Sequence, residues 1–270
     1  MAHSSPSIND GLDLFPWLTF GIGQDSLADR TVLDPRLVPG ERTFILVTIG
    51  QSLICNSVQW PTGTYTPTNG AKVQNFNFIT GGLYSAKDDL LGCHGQGANA
   101  ALWIADALLN TGSYDRIILA PIGFSATGSG QWAVGGNMNH RIPVLAKRLV
   151  AVGYTPTAVL WEQGTADASA GTSQAVTQAN LQSMIDTFRA NGITVPMLIA
   201  KESFVDAAHP SNSTTRAAQA AVVNPSANVF AGPDCDLIPA SERFDGLHFS
   251  YTGAAHYATL AKDAIVAALS

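Results

Sequence analysis

Short apolar runs rich in β-branched residues, separated by helical patterns, organise most of the chain. Residues 43–49 (TFILVTI) form one such run and end in Gly50, which predicts a strand buried on both faces. Similar runs at 116–122, 157–161 and 195–200 predict three more strands, and a weaker run at 228–231 a fifth. Apolar residues recur at helical spacing over 98–109 and over 174–190, where Gly192 is the expected C-cap. Further helices are predicted over 214–223 and 251–269. Alternating strands and helices predict a three-layer α/β/α sandwich around a parallel sheet of about five strands. Ligands of such sheets sit beyond the carboxyl ends of the strands, where strand order reverses, so functional residues are expected just after the strands.

Residues 1–40 break this pattern. They are rich in Ser, Asp, Gly and Pro with scattered aromatics, and are expected to be an N-terminal arm or loop packed on a domain of residues 41–270. No charged linker, Pro/Ser-rich hinge or repeat divides the remainder.

Composition narrows the classes. A hydrophobic share of 46% with 13% charged residues suits a substantial core and argues against disorder. The longest apolar stretches fall far short of the roughly 18 residues a membrane-crossing helix needs, so no membrane span is expected. A formal charge of −6, with no Lys/Arg cluster, argues against a nucleic-acid partner. The first residues carry no basic segment followed by an apolar one, so no secretory signal is expected as written, although a processed or engineered start would leave an extracellular setting open. Cys55, Cys93 and Cys235 are an odd set without a CxxC, and three buried free thiols are expected over a Cys55–Cys93 pair.

Four stretches carry candidate chemistry. Gly50-Gln51-Ser52 directly follows the first strand, where a serine on a tight turn is exposed and the next amides can face a developing oxyanion. Alone it reads more readily as an ordinary strand-ending turn. Gly23-Gln24-Asp25-Ser26 nearly duplicates it, but the preceding run over 14–20 contains Pro16, which disfavours an interior strand, so Ser26 is read as a decoy. Asp245-Gly246-Leu247-His248 places a carboxylate three residues before an imidazole, within reach of its Nδ1, and Ser250 or Thr252 is expected to cap the last helix. His94, His140, His209 and His256 are assigned structural or surface roles.

Trp161-Glu162-Gln163-Gly164-Thr165-Ala166-Asp167 follows the third strand, where a side-chain amide could donate to the same oxyanion. Glu162 and Asp167 could instead be an acid/base pair or metal ligands, but no His/Cys cluster accompanies them and no metal is expected. The stretch from Ile122 to Trp132 (IGFSATGSGQW) lacks phosphate-loop spacing. It is read as a turn offering a further oxyanion amide from Gly123 or Phe124, with a plain Gly-rich loop as the alternative.

Together these blocks resemble the SGNH/GDSL hydrolase superfamily, and within it the sialate O-acetylesterase-like (SASA) carbohydrate esterases. The similarity lies in Gly50-Gln51-Ser52, in the Trp161-to-Asp167 block (Trp-x-Gln-Gly-x-x-Asp) and in Asp245-Gly246-Leu247-His248-Phe249, and spans residues 43–269. Two positions depart from that branch. Thr165 stands where it usually has Glu, and Gly123-Phe124-Ser125 replaces Gly-Gly-Thr-Ser with two extra residues before Trp132.

The resemblance implies a flavodoxin-like SGNH hydrolase fold, no cofactor, and hydrolysis of acetyl esters on sugars or polysaccharides. It implies a triad of Ser52, Asp245 and His248, an oxyanion hole from the Ser52 amide, Gly123 or Phe124 and Gln163, and substrate contacts at Gln51, Trp132 and Trp161. Two other readings stay open: a lipase- or thioesterase-like hydrolase of other acyl esters, and a non-catalytic glycan-binding or virion-associated module on the same fold.

Overall fold

The computed structural model describes Leu27 and residues 29–270. The decoy Ser26, the run over 14–20 and most of the expected arm lie outside the described residues. In chain order the first half comprises β1 (Val32–Leu33), β2 (Thr43–Gly50), β3 (Asn56–Val58), β4 (Val73–Asn77), β5 (Gly82–Ser85), β6 (Ala98–Asn99), α1 (Ala100–Leu109), β7 (Arg116–Pro121) and α2 (Ser129–Trp132). There follow α3 (Arg141–Ala151), β8 (Ala158–Glu162), α4 (Thr165–Ala170), α5 (Gln174–Ala190), β9 (Met197–Lys201), α6 (Ser213–Ala221), β10 (Val229–Asp234) and α7 (Tyr251–Leu269).

Among the described residues the main sheet has 8 strands in the order β1-β5-β4-β7-β2-β8-β9-β10. The six from β4 to β10 are parallel, while β5 and β1 add antiparallel at one edge. The sheet is therefore wider than the five strands the sequence pattern predicts. The extra strands are short, and β1 comes from the segment before residue 41, pairing Val32 with Tyr84 and Leu33 with Leu83. Nearby, the Tyr154 hydroxyl donates to the Pro35 carbonyl at 2.6 Å.

Alternation along β2 builds the two core layers. Ile45, Val47 and Ile49 join one apolar cluster with residues of α3 and α5, while Phe44 and Leu46 join the other with α1 and α7. Both faces of the sheet are thus covered, which is why β2 reads as a continuous apolar run. Ser250 caps α7 as expected, accepting from the Gly253 amide, and at the start of α5 the Ser173 hydroxyl accepts from the Val176 amide. The consecutive strands β7 and β8 lie on opposite sides of β2, so strand order reverses there. The carboxyl end of β2 is thereby the switch point of the sheet.

Candidate active site

Ser52 occupies that switch point. Gly50 ends β2 at φ +139°, and any Cβ there would collide with the Glu162 carbonyl of β8, so only glycine lets the two strand ends approach. A single turn of 3-10 helix, Ser52–Ile54, follows at once. It is closed by the Cys55 amide donating to the Ser52 carbonyl at 2.9 Å, and the Ser57 hydroxyl donates to the same carbonyl.

The other blocks are bonded to this turn. The Gln51 amide donates to the Glu162 carbonyl at 3.0 Å, and the Gln51 side-chain oxygen accepts from the Ala166 amide at 3.2 Å. Gln51 is buried with its side-chain oxygen held by that amide, and it joins the first block to the third. The Phe124 amide donates to the Gly50 carbonyl at 3.0 Å. That commits its one hydrogen, and of the two second-block candidates Gly123 remains.

Gln163 is also buried, and its Nε2 donates to Asp167 Oδ2 at 2.6 Å. Asp167 further accepts from the Ser129 amide at 2.9 Å and the Ser129 hydroxyl at 3.0 Å, bridging the third block to α2. Glu162 is buried, and burial followed by the charge of Glu202 pushes its carboxyl up. Neither acid belongs to a metal-type cluster: no group of three or more His, Cys, Asp or Glu with metal-binding geometry occurs among the described residues.

Glu202, at the end of β9, binds where the branch's usual Glu is missing. Its carboxylate accepts from the Thr165 amide at 2.7 Å and from the Thr165 hydroxyl. A neighbouring strand thus supplies an acid to the start of α4. Gly164, just before, leaves no room for a Cβ against the Glu202 carbonyl.

Asp245 and His248 form a compact turn before α7. Asp245 Oδ2 lies 2.7 Å from His248 Nδ1, while Oδ1 accepts from the His248 amide at 2.7 Å and the Leu247 amide at 3.0 Å. Burial acts to raise the Asp245 carboxyl, but the bonds from the His248 ring and these amides outweigh it and hold it below the ordinary carboxylate range. The Phe244 ring stacks against His248 with centroids 6.2 Å apart. Buried Arg243 braces the turn from below, donating to the Leu247 carbonyl at 2.7 Å and the Cys235 carbonyl at 2.9 Å. The Gln59 amide donates to the Phe249 carbonyl at 3.3 Å, which ties the His248 turn to the segment running on from Ser52.

Sequence reasoning passed over a second pair of the same form. Asp206 Oδ1 accepts from the Ala208 and His209 amides, each at 2.8 Å, and lies 3.0 Å from His209 Nδ1. The two pairs share spacing and local bonding, and their surroundings separate them: the His209 side chain is 71% exposed and that of His248 23%. Arg243 was also missed, since nothing in its spacing sets it apart.

Trp132 and Trp161 correct the expected substrate contacts. Both are fully buried in one core cluster, edge to face with centroids 6.1 Å apart, and the Trp132 ring nitrogen donates to the Thr127 hydroxyl at 2.9 Å. Strand alternation puts Trp161 on the same face as Val159, so neither indole borders an open pocket. The three cysteines are free and buried.

This arrangement, with a serine at the switch point and an Asp–His turn late in the chain, sits on the α/β fold of the SGNH/GDSL-like esterases. An Arabidopsis thaliana protein of known structure superposes with a TM-score of 0.65 at 16% identity, over 84% of this chain and 98% of that one. The crystal structure of NanS matches with a TM-score of 0.54 at 14% identity, over 86% and 98% of the two chains. A family 3 carbohydrate esterase of Clostridium thermocellum gives 0.51 at 14% identity, over 84% and 98%. At these identities the likeness is one of fold. No curated protein matches the sequence significantly.

Residues 83–266 match the model of the SASA family, described as carbohydrate esterase, sialic acid-specific acetylesterase, and the chain belongs to that family. It is a carboxylic ester hydrolase. The matched span includes Gly123, Gln163, Asp245 and His248 and begins after Ser52. No helix among the described residues is long and apolar enough to cross a membrane.

Proposed function

We propose that the protein removes O-acetyl groups from sugars through a Ser52–His248–Asp245 triad. The observation that carries this reading is the 2.7 Å Asp245–His248 pair on a turn bonded, through Phe249 and Gln59, to the segment that continues from Ser52. With Asp245 accepting from Nδ1–H, the Nε2 of His248 is left as the proton acceptor.

In the first half-reaction Ser52 Oγ attacks the acetyl carbonyl carbon and its proton passes to His248 Nε2. The carbonyl oxygen takes the negative charge, facing the Ser52 amide at the start of its turn, the Gly123 amide and the second N–H of the Gln163 side chain. The intermediate collapses, the sugar hydroxyl leaves with the proton from His248, and acetyl stays on Ser52. Water then gives its proton to His248, attacks the acetyl group and releases acetate. Every proton returns to its starting place and no cofactor enters the balance.

The substrate class rests on the family, a carbohydrate esterase family with an acetylesterase description. The test is acetate release from acetylated xylan, from O-acetylated sialic acid and from p-nitrophenyl esters of two to eight carbons. Turnover of an acetylated sugar, abolished by Ser52→Ala, supports the proposal. An optimum at octanoate with no sugar substrate would favour the lipase-like reading, and no turnover of any ester the glycan-binding one.

A further inference from the structure

A tryptophan near the proposed site remains uncovered. Trp60 is 53% exposed, whereas Trp103, Trp132 and Trp161 are buried. An exposed indole forgoes the burial that large aromatics usually gain in a fold and leaves its flat face open to a ligand.

Its position is fixed from both sides of the proposed site. The Trp60 amide donates to the Ser57 carbonyl at 3.3 Å, and Ser57 in turn holds the Ser52 carbonyl. The preceding residue, Gln59, carries the bond to Phe249, next to His248. Four residues further on, the Thr64 amide donates to the Tyr251 hydroxyl at 3.2 Å, and Tyr251 is itself 43% exposed. Trp60 and Tyr251 therefore belong to two segments cross-linked beside the Asp245–His248 turn. The backbone of Trp60 packs against Gly97, where a Cβ would come within 3.1 Å of the Trp60 Cα.

We propose that Trp60 is the sugar-stacking surface of the enzyme, receiving the apolar face of the pyranose ring that carries the acetyl ester. This rests on the carbohydrate-ester reading above. A pyranose presents axial C–H bonds on a flat face, and the electron-rich face of an indole attracts such weakly positive hydrogens while shedding water from both. The carbonyl faces Ser52 while the ring rests on Trp60, and Tyr251 extends the surface for a neighbouring sugar unit.

The test compares two substrates and three proteins: wild type, Trp60→Ala and Trp60→Phe. One substrate is whichever of acetylated xylo-oligosaccharide and O-acetylated sialic acid the wild type cleaves faster, and the other is ethyl acetate, whose leaving group has no ring. The ratio of kcat/KM for sugar over ethyl acetate should fall about tenfold in Trp60→Ala, mainly through KM, with most of it restored in Trp60→Phe. N-bromosuccinimide oxidation of Trp60, mapped by peptide mass spectrometry, supplies a readout that needs no variant. The deacetylated sugar should slow it.

An unchanged ratio, or no protection by the sugar, overturns the proposal. So does wild-type self-association that Trp60→Ala abolishes, which would make the indole a protein interface. A wild type that cleaves ethyl acetate but neither sugar contradicts the carbohydrate reading itself, before any variant is compared.

Discussion

Gln163 Nε2 donates to Asp167 Oδ2 across 2.6 Å, and this one bond decides which way the buried amide faces. The reversed orientation would set two oxygens against each other. One N–H is thus committed, and the other is free to meet an oxyanion. Gln163→Ala should lower kcat about 10²- to 10³-fold with little change in KM. Gln163→Glu should be at least as damaging, since it places a second carboxyl against Asp167. Steady-state rates near the wild-type kcat in both variants would return Gln163 to a structural role.

Trp132→Ala should act on stability rather than on acyl-chain preference. The indole is fully buried and its ring nitrogen is bonded to Thr127, so truncation leaves a large cavity and removes that bond. A loss of about 3–5 kcal/mol is expected in denaturant unfolding, with the relative rates on acetate, butyrate and octanoate esters unchanged. A clear shift toward longer chains would mean that the indole does border the acyl group.

Glu202 predicts a pH-dependent stability. Burial pushes its carboxyl from the ordinary 4.5 to about 7, the charge of Asp236 adds to this, and the two Thr165 bonds oppose it. A raised carboxyl favours the fold in its protonated form. The contribution is fully present below about pH 4.5 and is lost as pH rises through about 7. Glu202→Gln should remove much of that loss. Its amide can donate to the Thr165 hydroxyl, whose one hydrogen then goes to the Phe204 carbonyl at 2.7 Å. Melting temperatures at pH 5 and pH 8 should differ less in the variant than in the wild type, with buried Glu162 leaving a residual slope. Equal slopes would exclude Glu202 as the titrating group.

The parts of the fold legible in the sequence were those where burial is two-sided. The run predicted over 43–49 is β2 at Thr43–Gly50, and the helices predicted over 174–190 and 251–269 have the observed bounds. β4 was invisible because Asn75 and Asn77 interrupt its apolar pattern. Both are buried, and Asn75 holds the Leu91 amide at 2.6 Å, a partner no local pattern reveals. α3 was hidden by Pro143 and its charges, yet Pro143 falls in the first turn, where no intrahelical N–H is lost, and Arg141 is buried under Gly92.

The same limit applies to the candidate site. Three of the blocks fall just after β2, β7 and β8, as motif order suggested, whereas the Asp245–His248 block lies on a turn before α7 rather than at a strand end. Direction was not legible. Gln51, Trp132 and Trp161 sit where substrate contacts were expected but face inward, and two Asp-x-x-His pairs look alike until their surroundings are seen. Trp161 could have been placed from the alternation of β8, which sends it with Val159 into the core.

The identity of the nucleophile is tested most directly by labelling with a fluorophosphonate, which forms a stable bond to an activated serine, and locating the adduct by peptide mass spectrometry. The triad predicts a single adduct on Ser52, strongly slowed in His248→Ala, and a loss of about 10⁴- to 10⁶-fold in kcat for Ser52→Ala. An adduct on any other serine, Ser26 included, with Ser52 unlabelled and Ser52→Ala still active, would contradict it.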